Sequence, residues 1–203
     1  MSVKLHQDDL PTGLAFTQSV AIDTETLGLN PHRDRLCLVQ LSAGDGHAHL
    51  VQIRQGLPAA PRLKALLVDE SVLKIFHFAR FDLAALSQHL GIMPRPVYCT
   101  KIASKLTRTY TDRHGLKDLC KELLGIELSK EQQSSDWGAP SLTAEQQGYA
   151  AADVLHLHKL KTILDKLLER EGRSGLAEAC FQFLAARAEL DRLGFADPDI
   201  LEH

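Results

Sequence analysis

The stretch Val20-Ala21-Ile22-Asp23-Thr24-Glu25-Thr26 decides the fold, because an apolar run leads straight into two carboxylates spaced two residues apart. In an extended strand side chains alternate between faces, so residues 23 and 25 point the same way and their carboxylates converge. Two like charges held together are unfavourable, and their pKa values rise unless a cation neutralises them. A hard divalent ion suits such a pair, since Mg2+ prefers carboxylate and phosphate oxygens and keeps several waters. Taken alone, an acidic pair leaving a strand is more often a solvated loop. The pair gains meaning only from its company.

Working outward, residues 19–23 read as a first strand and 36–41 (Leu36-Cys37-Leu38-Val39-Gln40-Leu41) as a second. The Gly44-Asp45-Gly46 turn leads to a third strand over 47–53, giving an antiparallel meander. A helix over 62–68, a strand over 72–78 and a helix over 81–90 stopped by Gly91 follow, then a short strand at 97–99 after Pro94 and Pro96. From Thr100 onward the pattern is helical, over 101–107, 115–124, 143–171 and 175–193, with stops at Gly125, Gly172 and Gly194. Leu157, Leu160, Leu164, Leu167 and Leu168 form one stripe of a helix packed on a core. Thr143 and Gln146 make a capping box at that helix's start. Strands first, mixed elements next and helices last imply an α/β domain with a mixed central sheet.

Composition sets the bounds. The 203 residues, 44% apolar and 24% charged, suit one compact domain with a real core. No apolar run approaches the roughly 20 residues that span a bilayer. The start, Met1 to Asp9, has no stretch suited to a signal peptide. Cys37, Cys99, Cys120 and Cys180 are scattered and form no CxxC pair, so reduced thiols in a cytoplasmic protein are expected. A net charge of −3 argues against a large duplex-binding surface, because gripping many phosphates requires a basic face. A substrate of a few nucleotides remains compatible.

The company of the acidic pair comes later in the chain. Asp82 follows a strand in His77-Phe78-Ala79-Arg80-Phe81-Asp82, where a helix N-terminus would favour its charge. Tyr149 and Asp153 lie four apart and so share a helix face, and Ala150-Ala151-Ala152 between them lets that helix lie close to a sheet. Each alone has a bland reading: a first-turn carboxylate, or a core tyrosine beside an exposed aspartate.

Together and in this order, the three motifs ending in Glu25, Asp82 and Asp153 resemble those of the DEDD superfamily of 3′-5′ exonucleases, tyrosine subtype. Gln133-Ser134-Ser135-Asp136-Trp137 and Pro140 to Gln146 resemble the ribonuclease D branch. The chain lacks room for that branch's accessory helical domains, and looks most like the compact nanoRNase C enzymes. The resemblance covers roughly residues 18–168. It implies a ribonuclease-H-like fold with a mixed central sheet flanked by helices, formed by a single exonuclease domain over residues 1–203. It also implies 3′-5′ exoribonuclease activity on short oligoribonucleotides, down to dinucleotides, with 5′-mononucleotide products, and a ring-shaped homo-oligomer. On this reading Asp23, Glu25, Asp82 and Asp153 hold two Mg2+ or Mn2+ ions, and Tyr149 orients the attacking water. An exonuclease trimming longer structured RNA or single-stranded DNA, and a nonenzymatic RNA-binding module, are the competing functions.

Secondary candidates surround this set. Leu27 and Leu29 follow the acidic pair; in related exonucleases a leucine after this motif wedges against the terminal bases, and Gly28-Leu29 resembles that position, the other reading being a loop leucine that caps the core. His77 and Arg80 are candidates for a substrate phosphate, against a structural histidine and an exposed arginine. Lys101, Lys105 and Arg108 recur at helical spacing, better read as a solvated face than as a phosphate stripe. Neither His47 with His49 nor His156 with His158 has a further ligand at zinc spacing. Trp137 is read as a packing residue. The helix over 175–193, with Phe181 and Phe183 on different faces, is a candidate subunit interface.

Overall fold

The computed structural model describes residues 2–56, 59–129, 131–132 and 134–201. Its centre is a six-stranded sheet built from β1 (Ser2–Gln7), β2 (Ser19–Thr26), β3 (Leu36–Ser42), β4 (His47–Gln52), β5 (Leu73–Phe76) and β6 (Val97–Cys99), in the order β1-β4-β3-β2-β5-β6. β2, β3 and β4 form the expected antiparallel meander. β5 and β6 add to β2 in parallel, and β1 adds to β4 in parallel at the other edge. β3 is buried along its whole length, as its apolar run dictates.

Helices α1 (Pro61–Val68), α2 (Ala79–Leu90), α3 (Thr100–Thr107), α4 (Leu116–Leu119), α5 (Ala144–Leu155), α6 (Leu157–Arg170) and α7 (Ser174–Arg192) flank the sheet. Ala150 and Ala151 are fully buried, so α5 lies against β2, β3 and β4 with no side chain to hold it off. Its Thr143 cap forms the reciprocal capping box with Gln146. Leu157, Leu160, Leu164 and Leu168 are buried along α6, whereas Leu167 is only partly covered.

Four local expectations are corrected. β1 was not read as a strand, because Ser2-Val3-Lys4-Leu5-His6-Gln7 offers only two apolar residues and its partner β4 is some 45 residues away. The single helix expected over 143–171 is two, separated at His156 (φ −107°, ψ −8°) without a glycine or proline to announce the break. The break lets α5 turn Tyr149 and Asp153 to one end of the sheet while α6 turns its leucines to the core. The helix expected over 115–124 is one α turn followed by a π turn at Cys120–Leu124, closed by Gly125 in the left-handed conformation. Arg108 is not on a solvated face. It is 1% exposed, with its guanidinium donating to Ser104 Oγ (3.0 Å), to the Arg113 carbonyl (2.7 Å) and to Glu122.

Among the described residues no helix is long and apolar enough to cross a membrane. All four cysteines are free thiols, and only Cys180 is less than fully buried.

Candidate metal centre and active site

β2 carries Asp23 and Glu25 to the end of the sheet, where a register shift between Glu25 and Thr26 interrupts pairing with β3. Such irregularities re-aim side chains at the end of a strand. Gln40 of β3 stands directly opposite Asp23, and its Nε2 donates to Asp23 Oδ2 (3.2 Å). Asp153, one helical turn beyond Tyr149 on α5, brings its carboxylate to the same place. Ligand oxygens of Asp23, Glu25 and Asp153 all lie within 4.8 Å of one another. No other group of three potential ligands this close occurs among the described residues, and the histidine pairs do not form one.

Asp82 joins from the far side of β2. Thr24 points away from Asp23 and Glu25 by strand alternation, and its hydroxyl donates to Asp82 Oδ1 (2.7 Å). Asp82 is 2% exposed in the first turn of α2. Its carboxylate is outside the three-ligand group yet close enough to raise the Asp23 carboxyl.

The electrostatics follow from burial. The Asp23 carboxyl is pushed well above its ordinary value by burial, then by the charges of Asp82, Asp153 and Glu25. Burial, then Asp153 and Asp82, raise Glu25 to about 9. Burial raises Asp82 to about 8 against the opposing hydrogen bond from Thr24. Burial raises Asp153 to about 7. Burial and the neighbouring carboxylates also raise the Tyr149 phenol, so it keeps its proton at neutral pH. Among the described residues no lysine or arginine is ion-paired to any of the four acids. Four clustered carboxylates without a protein cation, all oxygen donors, fit a hard divalent ion. The buried Gln40 Oε1, which lacks a protein partner, adds a neutral oxygen beside them.

The acids open into a cleft of about 330 Å3 whose walls include His77, Phe78, Lys101, Lys117 and Tyr149. His77 donates or accepts at Nδ1 with Thr100 Oγ1 (2.9 Å), and burial pushes its pKa down to about 3. It is therefore a neutral ring in the cleft wall. Arg80 does not line the cleft. Its guanidinium is held by Asp191 of α7 at 2.5 and 2.8 Å. Leu27 (52% exposed) and Leu29 (83% exposed) project from the loop after β2, outside the cleft lining. Leu27 lies against Gly138, where an added Cβ would come within 2.7 Å of its Cδ2. Of the lysine–arginine series only Lys101 reaches the cleft. Trp137 is 2% exposed with its ring 6.0 Å from that of Tyr149, a packing residue behind the phenol, while Gln133 of the same motif lies outside the described residues.

Thr24, Gln40 and Phe78 escaped the sequence reading. A lone glutamine in the otherwise apolar run Leu36 to Leu41 was a signal for Gln40, since a buried polar side chain needs a partner. Thr24, between the two acids, gave none.

The sequence model of a family described as 3′-5′ exonuclease matches residues 8–169. The chain belongs to that family. Two curated ribonucleases D illustrate the relationship, one from Gluconacetobacter diazotrophicus (38% identical over 154 residues, 76% of this chain and 39% of that protein) and one from Zymomonas mobilis (33% over 172 residues, 85% and 44%). The chain thus spans less than half the length of the curated relatives it matches. The solved structure of Brucella melitensis NrnC with bound Mg2+ is 58% identical, with a TM-score of 0.95 and 100% of both chains covered. NrnC from the same organism bound to pGG is 59% identical, with a TM-score of 0.96, covering 100% of this chain and 99% of that one. Escherichia coli RNase D is 29% identical with a TM-score of 0.74, over 85% of this chain and 45% of that one. The fold is that of the DEDD exonucleases of the ribonuclease D and NrnC type, a divalent-metal-dependent family.

Proposed function

We propose that the chain is a metal-dependent 3′-5′ exoribonuclease that hydrolyses short oligoribonucleotides, down to dinucleotides, to 5′-mononucleotides. The observation that carries this is the meeting of Asp23, Glu25 and Asp153 within 4.8 Å, with Asp82 close by, at the floor of an open cleft. These four residues would hold two Mg2+ or Mn2+ ions. When bound, such ions lower the pKa of an attacking water and offset charge on the phosphoryl and departing 3′ oxygens.

The chain's own groups do the rest. Thr24 fixes the rotamer of Asp82, and Gln40 fixes that of Asp23. Tyr149 is assigned to orienting the nucleophilic water by hydrogen bonding, and would accept its proton only where a bound metal ion lowers the phenol's pKa, which burial and the neighbouring carboxylates raise in the metal-free site. Lys101 and Lys117 bring positive charge to the cleft, which suits a substrate with few phosphates. A cleft of about 330 Å3 is likewise of a size for a small ligand. The nearly full-length match to a pGG-bound NrnC supports the short-substrate reading. Residues 1–203 would act as one exonuclease domain, cytoplasmic and assembled as a ring-shaped homo-oligomer. Exposed Leu176 and Phe183 on α7 are the candidate contact.

Timed product analysis of 5′-labelled RNAs of two, seven and twenty nucleotides tests the reading. Mononucleotides released fastest from the dinucleotide, and only without EDTA, are expected. Faster turnover of the twenty-mer would favour a trimming enzyme, and binding without hydrolysis in Mn2+ would leave only a binding module.

A further inference from the structure

Phe78 sits where backbone preference does not account for a phenylalanine. It precedes α2 with φ 66° and ψ 45°, the left-handed region that bulky residues avoid. Glycine or asparagine would take this conformation at lower cost. The ring is also 44% exposed, so its apolar area is incompletely removed from water. It lines the cleft beside Asp23, Glu25 and Tyr149. It lines as well a second, mostly apolar cavity of about 240 Å3 bounded by Ile102, Phe183 and Leu184, and so forms the partition between the two. Lys101, which lines both, places Nζ 4.0 Å from the ring centroid and holds the ring by a cation–π contact.

We propose that Phe78 is a base-stacking platform, receiving one nucleobase of the short RNA whose scissile phosphate lies at the carboxylates; this rests on the exonuclease reading above. Single-stranded nucleic acid is bound by pairing positive charge for the phosphate with aromatic faces for the bases, and every base has a π face to offer. Lys101 and Phe78 supply that pair at one wall of the cleft, with Lys101 Nζ over one face of the ring and a stacked base confined to the opposite face. The platform gives affinity without base identity, as an enzyme that degrades mixed short RNAs needs. It also gives a reason for an aromatic ring at a backbone position that disfavours it.

The test compares Phe78→Asn and Phe78→Tyr with the unchanged protein in Mn2+. Each is assayed on an intact dinucleotide and on two analogues, one abasic at the 5′ nucleoside and one at the 3′ nucleoside. Asparagine tolerates the left-handed backbone, so loss of the ring is separated from strain. Phe78→Asn is expected to raise KM for the intact dinucleotide roughly fivefold to 160-fold, the equivalent of about 1–3 kcal/mol for removing a base-stacking aromatic. kcat should change less than about threefold. The same rise is expected with one abasic analogue and none with the other, and Phe78→Tyr should match the unchanged protein. Equal rises on all three substrates, or no rise on the intact one, overturn the platform while leaving the exonuclease intact. An unchanged protein that cleaves none of the three removes the dinucleotide-substrate reading and the platform together.

Discussion

Asp153→Asn should stabilise the metal-free protein while abolishing its turnover, and the two effects share one cause. Burial raises the Asp153 carboxyl from 3.8 to about 7. Because the folded value lies above the unfolded one, this group's contribution favours folding most at low pH and turns into a penalty as pH climbs through about 4 to 7. At about 1.4 kcal/mol per pH unit, the ionised form costs the fold about 4 kcal/mol at pH 8 and about 2 kcal/mol at pH 5. Asp153 is partly exposed, so water screening reduces this to about 2–4 kcal/mol at pH 8. Asparagine keeps the shape and removes the charge. In a protein of this size about 1 kcal/mol shifts Tm by about 2–4 °C. Calorimetry in EDTA should therefore show Asp153→Asn melting roughly 4–16 °C higher at pH 8 and about half as much higher at pH 5. Added Mn2+ should raise the unchanged protein's Tm and leave the variant's nearly unmoved. A variant that melts at or below the unchanged protein at pH 8 in EDTA would refute the reasoning.

Three further expectations rest on other contacts. Tyr149→Phe removes the hydroxyl that orients water, so kcat should fall at least about tenfold with KM nearly constant, by steady-state kinetics on a dinucleotide. Arg80→Ala breaks a partly buried ion pair with Asp191, which keeps Arg187 as a second partner at 2.8 Å. It should lose about 1–3 kcal/mol in denaturant melts with KM within about twofold, and a large KM rise would restore Arg80 to the substrate. Lys74 is fully buried and donates to the carbonyls of Asp69 (2.5 Å), Val72 (2.7 Å) and Arg95 (2.6 Å). Lys74→Met leaves these three acceptors unpaired and should cost about 3 kcal/mol or more, whereas a loss below about 1 kcal/mol would mean that water replaces the ammonium.

The parts legible in the sequence are those governed by short-range periodicity. The apolar run into Asp23 and Glu25, the Gly44–Gly46 turn and the Thr143–Gln146 capping box are local, and each takes the expected form. The order of the acidic motifs carried the family and the fold, because strand alternation and a one-turn helical spacing already aim three of the carboxylates. What escaped depends on partners distant in the chain. β1 is a strand only because β4 offers it an edge, and Arg80 leaves the cleft only because Asp191, 111 residues later, lies across α2. Arg108 looks solvated by helical spacing until Glu122 and the Arg113 carbonyl fold over it. Leu27 and Leu29 are exposed as a wedge would require, yet they stand outside the cleft lining.

Anomalous diffraction from crystals soaked in Mn2+ tests the central proposition most directly, namely that acids from three separate segments gather to bind divalent cations. Peaks in contact with the carboxylates of Asp23, Glu25 and Asp153, and lost in Asp153→Asn, are the expected result. No peak there at millimolar Mn2+, or a lysine Nζ standing among those carboxylates instead, would contradict it.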